Sequence, residues 1–206
     1  LASKVLPSKP ITHQSHLGRA VIIRGSTVFA AGDFESAMVE CPPVKGELEV
    51  QVTAGELLAR LDASSEEEVV LTQEVNKLIV KAKKSKWTLP TVALEADPKR
   101  ITADALEPVD GASFRRALEA AMPAAGIDPA SAQYYGVCLA PGGRVLTTDG
   151  RRCHVFNGGP KVAQMTTITP AFAKLLVGIK DEQILMQVSD DIIVQIGGAV
   201  FSHRQL

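Results

Sequence analysis

The stretch Val145-Leu146-Thr147-Thr148-Asp149-Gly150-Arg151-Arg152-Cys153-His154-Val155 reads as strand, tight turn, strand. Apolar and β-branched residues run up to Asp149-Gly150, and Asp-Gly is a strong hairpin signal. A quieter copy lies upstream, in Val28-Phe29-Ala30-Ala31-Gly32-Asp33-Phe34-Glu35-Ser36-Ala37-Met38-Val39, with Asp33 and Asp149 116 positions apart. That spacing recurs along the whole chain.

Outward from the upstream copy, strands are expected over 20–23, 28–31, 37–39 and 48–52, the last alternating with period two. Thr53 and Glu56 form a capping-box pattern for a helix that places Leu57, Leu58 and Leu61 on one face. Strands over 69–73, 78–82 and 86–89 follow, with turns at Asn76 and at Lys83-Lys84-Ser85, and 90–102 reads as a connector. Around the second copy the order repeats. Phe114, Ala117, Leu118, Ala121 and Met122 mark an amphipathic helix that Met122-Pro123 ends, as Leu6-Pro7 ends a helix-compatible segment over 1–6. Strands are expected over 135–139 and 165–169, joined through the turn Pro141-Gly142-Gly143 and the central hairpin. A short helix carries Phe172, Leu175, Leu176 and Ile179 inward, and strands over 184–188, 192–196 and 200–202 close the unit.

Leu57-Leu58 answers Leu175-Leu176 at an offset of 118, and Leu78-Ile79-Val80 answers Ile192-Ile193-Val194 at 114, as Trp87 answers Phe201. So small a drift predicts a duplicated domain, with boundaries at 1–95 and 96–206. Each unit is expected to hold two helices laid on one side of antiparallel sheet, because two helices cannot cover both faces of a parallel one. The class is α+β. The first helix is expected to begin before residue 1, and a start at Leu1 reads as a fragment of a longer chain.

The 206 residues are 46% hydrophobic, 22% charged and 4% aromatic, an ordinary globular composition with room for two cores. A net charge of −1 gives no global sign of nucleic acid, so any such surface must be local. No apolar run has the roughly 20 residues of a membrane span, and no signal peptide is visible. Cys41, Cys138 and Cys153 lack CxxC spacing, which fits a reducing cytoplasm better than disulfides or zinc.

Asp149, Cys153 and His154 suggest a nucleophile with its base, but neighbouring strand residues face opposite ways. A hairpin aspartate bonding its own turn accounts for Asp149. His13-x-x-His16 lies in a polar loop without a carboxylate or thiol beside it, so neither a metal nor a cofactor is expected. Gly158-Gly159-Pro160 and Gly197-Gly198 lack the setting of a phosphate loop. The run Lys81-Ala82-Lys83-Lys84-Ser85-Lys86 reads as a solvated strand edge, its counterpart in the second unit being uncharged. On the helices, Lys4, Arg115 and Arg116 are expected to point out, and Arg60 and Lys174 to lie on flanks or outer faces. Cations on every helix of a duplicated fold suit a surface that follows phosphates without reading sequence.

The hairpin Thr147-Thr148-Asp149-Gly150-Arg151-Arg152 resembles that of the second domain of bacterial DNA sliding clamps, the β subunit of DNA polymerase III, where the pattern is close to A-T-D-G-H-R-L. Val52-Thr53-Ala54 with Leu57-Leu58, then Val69-Val70-Leu71-Thr72, Leu78-Ile79-Val80-Lys81 and Trp87-Thr88-Leu89-Pro90-Thr91, resemble that family's first domain. Tyr134-Tyr135 matches its Tyr-Tyr pair. The resemblance covers nearly the whole chain. It implies a non-catalytic ring of six such domains that encircles duplex DNA and tethers a polymerase, with helices lining the hole. Its implied partners are duplex DNA, a DNA polymerase, a clamp loader and the protein itself, as a homodimer if a third domain exists and a homotrimer if not; no membrane is implied.

By the same resemblance, Thr148, Gly150, Arg151, Arg152 and Cys153 match positions of a pocket that receives partner peptides, Cys153 standing where the family usually has Leu. The rest of that pocket lies in a third domain. Lys9-Pro10 and Tyr134-Tyr135 match DNA-proximal positions, which joins Lys9, Tyr134 and Tyr135 to the helix cations as candidate DNA contacts. Gly55-Glu56 departs from a place where the family often has basic residues. The runner-up reading is a clamp-like module that binds peptides without encircling DNA; an enzyme built on Asp149 and His154 comes third.

Overall fold

Val21 and Ile23 on one strand, and Val50 and Val52 on another, stand two residues apart, so each pair shares a face of its strand, and all four are buried. A computed structural model describes residues 20–32, 35–41, 47–64, 68–94, 100–131, 133–180 and 183–204. The chain divides into two compact units, Leu1–Arg100 and Ile101–Leu206.

In the first unit, β1 (Ala20–Arg24), β2 (Thr27–Ala31), β3 (Glu35–Glu40) and β4 (Glu49–Thr53) precede helix α1 (Ala54–Ala63). Strands β5 (Val70–Glu74), β6 (Lys77–Ala82) and β7 (Ser85–Val92) follow. The strand order within the unit is β5-β6-β7-β4-β1-β2-β3, and every pairing is antiparallel. Val50, Val52, Leu78, Val80 and Leu89 form one core with Ala54 and Leu57 of α1, and Leu61 and Trp87 pack against it. Asn76, at φ 58°, turns β5 into β6, as its residue type allows.

In the second unit, β8 (Glu107–Asp110) leads into α2 (Gly111–Ala121), and a 3-10 turn over Met122–Ala124 ends the helix at Pro123. Strands β9 (Val137–Ala140), β10 (Arg144–Thr148), β11 (Cys153–Asn157) and β12 (Thr166–Ile168) precede α3 (Pro170–Val177). The unit closes with β13 (Gln183–Val188), β14 (Asp191–Ile196) and β15 (Ala199–Arg204). Its strands run in the orders β11-β10-β9-β12 and β15-β14-β13-β8, again antiparallel throughout. Phe114, Leu118, Phe172, Leu176, Ile192 and Phe201 are buried. The order β4-β1-β2-β3 thus has its like in β12-β9-β10-β11. Val80 faces Trp87 across β6 and β7 as Val194 faces Phe201 across β14 and β15.

Several local expectations are corrected. Thr53 stands at the N-cap of α1, but its side chain makes no capping bond, so the capping box does not form. Pro90 does not end β7: Thr91 donates its N–H to the Asn76 carbonyl, and Thr91 and Val92 pair with Val52 and Gln51 of β4. β9 begins at Val137, and Tyr135 instead makes an isolated bridge to Gly126. β8 was not expected; it contains Pro108 and pairs with β13 alone, the edge position proline tolerates. The helix expected over 1–6, with Lys4, lies outside the described residues, as do Lys9, His13, His16 and Asp33. The described residues hold three α-helices on large antiparallel sheets.

Candidate nucleic-acid and partner interface

The central hairpin is four residues at its tip, not two. Thr148 pairs with Cys153, which leaves Asp149-Gly150-Arg151-Arg152 as the loop. A two-residue turn of the type Asp-Gly favours needs positive φ at both residues, and here Gly150 alone of the four has it, at 83°. The aspartate holds the loop instead. Its Oδ1 accepts from the backbone N–H of Arg151 and of Arg152, both at 3.0 Å, and its Oδ2 accepts from Arg152 Nε at 3.0 Å. The backbone N–H of Arg151 first, then that of Arg152 and its guanidinium, hold the Asp149 carboxyl below the usual carboxylate range. Thr148 Oγ1 donates to the Arg152 carbonyl at 2.8 Å and accepts from Gly150 N–H at 3.1 Å.

The same hairpin caps the C-terminal end of α2, where carbonyls lack intrahelical donors. Thr147 Oγ1 donates to the Ala121 carbonyl at 2.5 Å, and Arg152 Nη2 to the Pro123 carbonyl at 2.6 Å. His154 Nδ1 lies 3.1 Å from the Ala120 carbonyl and must carry the proton there, since a carbonyl only accepts. A guanidinium at this end also suits the negative pole of the helix. His154 is therefore committed to α2, while Cys153, its neighbour on the strand, is exposed.

Tyr134 joins this group from the loop before β9. The N–H of Gly126 is shared between the carbonyls of Tyr134 and Thr148, each at 3.1 Å, and Tyr134 N–H donates to the Ser131 carbonyl at 2.8 Å. A Cβ on Gly150 would lie 3.2 Å from both Cε2 and Cζ of the Tyr134 ring. The structure thus brings Tyr134 onto the hairpin that carries Thr148, Gly150, Arg151, Arg152 and Cys153. Tyr135 is half-buried, its N–H donating to the Ser131 carbonyl at 3.1 Å.

The helix cations divide. Arg116 is exposed, with Nη2 donating to Ser113 Oγ at 3.1 Å; that serine is held in turn by Asp110, the N-cap of α2. Lys174 in the last turn of α3 and Arg60 in the last turn of α1 are exposed. Arg115 does not project freely as the helical wheel implied. It is part-buried, and its Nη1 donates to the Ile179 carbonyl at 2.9 Å, tying α2 to the end of α3. The wheel assigns a face but cannot say which backbone waits beside it. Asp149 bonds its own turn as a hairpin aspartate is expected to, but the roles of Thr147, His154 and the Pro123 carbonyl were missed. The Asp-x-x-Arg spacing across the turn could have suggested the further bond from Arg152 to Asp149.

Among the described residues, no three His, Cys, Asp or Glu side chains are grouped to hold a metal, and no helix is long and apolar enough to cross a membrane. Burial pushes the half-buried Cys138 thiol up.

No protein-family model and no curated protein matches the sequence. Solved structures do. The β subunit of DNA polymerase III from Thermotoga maritima matches 99% of this chain with a TM-score of 0.83 at 14% identity. The β subunit from Pseudomonas aeruginosa matches 100% of it at 0.77 and 17%. The DNA polymerase sliding clamp from Bacillus subtilis matches 98% of it at 0.83 and 12%. In each case the chain spans 60% of the other chain's length. At these identities the likeness is one of architecture, and this chain has the fold of DNA polymerase III β subunits, the sliding-clamp fold.

Proposed function

We propose that this chain forms the first two domains, 1–95 and 96–206, of a DNA sliding clamp: a non-catalytic processivity factor that encircles duplex DNA and tethers the replicative polymerase. The observation that carries this reading is the match of essentially the whole chain to DNA polymerase III β subunits. The like strand orders of the two units support a duplicated domain. Arg60, Arg116 and Lys174, with Lys4, Lys9, Tyr134 and Tyr135, follow the phosphate backbone; Arg115 contributes less, one of its nitrogens being engaged. A few weak phosphate contacts per domain suit a ring that must slide, because encirclement rather than affinity retains it. Thr148, Gly150, Arg151, Arg152 and Cys153 receive peptides from the polymerase and the clamp loader. A third domain, completing the pocket and a homodimeric ring, is part of this reading; a homotrimer of two-domain chains is the other closed form.

The test is retention after loading onto circular and linear duplex DNA. Retention on circles with loss from linear ends is expected, and equal loss from both overturns the reading. The second reading, a peptide-binding module that does not encircle DNA, draws support from the orderly hairpin and from the engagement of Arg115. It expects Arg152→Ala to abolish peptide capture in a protein that shows no preference for circles.

A further inference from the structure

Val50 and Val52 turn into the core of the first unit, so Glu49 and Gln51, which alternate with them on β4, turn to its other face. Val92 is the cross-strand partner of Gln51 on β7 and shares that face. With Glu47, Leu94 and the β5–β6 turn over 74–76, these residues line an open cleft of about 690 Å³. Two ties hold its walls together. Glu49 N–H donates to Gln73 Oε1 at 3.0 Å, and Thr91 N–H to the Asn76 carbonyl at 3.2 Å. At the base lies Gln51, only 1% exposed, whose buried Oε1 accepts no hydrogen bond among the described residues. A buried acceptor left so is costly, and a donor brought to it is favoured. At the mouth, the carboxylates of Glu49 and Glu74 are matched by Arg24 at 2.6 Å and by Lys77 at 2.8 Å. Glu47 is exposed and in no ion pair among the described residues. Val75, Val92 and Leu94 leave apolar surface open beside it.

We propose that this cleft takes an arginine side chain, presented by a peptide segment with aliphatic residues beside it. A guanidinium carries five donors and no acceptor, so one group can donate to Gln51 Oε1 and to the Glu47 carboxylate together. Its stem and the aliphatic neighbours cover Val75, Val92 and Leu94. The cleft has the size of a site for several side chains, not for one ion. Its described lining holds carboxylates and neither Lys nor Arg, which turns away a phosphate backbone. The site lies within the first unit and asks nothing of the hairpin or of ring closure.

The full chain, 15N-labelled at glutamine, is titrated with the synthetic peptide acetyl-Ala-Leu-Arg-Leu-Ala-amide. Parallel titrations use the same peptide with citrulline for arginine, and a short duplex DNA. The side-chain amide signals of Gln51 are expected to move with the arginine peptide and to stay with the duplex. Citrulline keeps the shape of arginine and removes its charge, and should bind about tenfold more weakly. Glu47→Gln should weaken binding of the arginine peptide about threefold, and Gln51→Met about tenfold. Equal binding of the two peptides overturns the proposal, as does peptide binding that leaves the Gln51 signals in place. Duplex DNA that moves those signals makes the cleft a nucleic-acid surface and overturns it as well. So does an arginine peptide that fails to bind the wild-type chain at about 1 mM. The Gln51 signals of the wild-type protein decide the matter even if Gln51→Met folds poorly.

Discussion

His203 is fully buried on β15, its Nε2 accepting the backbone N–H of Thr169 at 3.0 Å and its ring packed on Phe172 with centroids 4.8 Å apart. Burial lowers its pKa to about 4, against 6.5 for a free histidine. Between those values the unfolded chain binds a proton that the folded chain refuses. Stability therefore rises with pH through that window and is lost as pH falls, by up to about 3 kcal/mol. Urea midpoints measured from pH 7 to pH 4.5 should fall accordingly, and His203→Gln, less stable at neutral pH, should flatten the dependence. An equal slope in the variant would assign the effect elsewhere. At Gly150, alanine meets both a φ of 83° and the Tyr134 ring. Gly150→Ala should cost about 1–2 kcal/mol, read as a lower denaturant midpoint at unchanged slope. What was legible at this scale is what sequence neighbours decide. Asp149 bonding its own turn follows from Asp-Gly alone. The meeting of Tyr134 with Gly150 does not, because it depends on a loop over 125–136 that has no periodicity to read. The tie from Arg115 to Ile179 likewise depends on where α3 ends.

The elements were more legible than their ends. Alternation gave β4 and short apolar runs gave β6 and β14, and the matching of Leu78-Ile79-Val80 with Ile192-Ile193-Val194 is answered by burial of all six residues. Edges and caps were harder, because they hang on single dihedral angles and single bonds. Thr53 and Thr169 occupy the N-caps of α1 and α3 at nearly the same φ, −65° and −64°, yet ψ is 121° at the first and 152° at the second. Only Thr169 turns its Oγ1 onto the helix, accepting Phe172 N–H at 3.0 Å. Identical residues therefore predict unequal costs. Thr169→Ala should lose about 1 kcal/mol or somewhat more, since the position is buried, and Thr53→Ala only a few tenths. Paired denaturation curves check this, and equal losses would show that Thr53 caps in solution. β7 ran past Pro90 because β4 paired with Thr91 and Val92 and the Asn76 carbonyl, in the turn before β6, accepted Thr91 N–H, a tertiary override of a local stop.

For the whole molecule the telling quantity is how little net charge accompanies the helix cations: −1 overall, with Arg60, Arg116 and Lys174 exposed on α1, α2 and α3. A protein that held DNA by affinity would need many phosphate contacts and would lose most of its binding as salt rises. A ring that holds DNA by closure needs few, and more would slow its sliding. The two cases separate when the three cations are removed together. Replacing Arg60, Arg116 and Lys174 by alanine should reduce the slope of log K against log salt, measured on short linear duplex, by about 0.9 for each cation that touches a phosphate. The same triple variant, once loaded on circular DNA, should remain there as long as the parent does, because none of the three side chains makes an ion pair or capping bond among the described residues that the fold depends on. Loss of the variant from circles in proportion to its weaker binding on linear DNA would mean that contact, not closure, retains the protein. An unchanged salt slope would mean that the described helices do not face the phosphates, and would leave Lys4 and Lys9 to carry that contact.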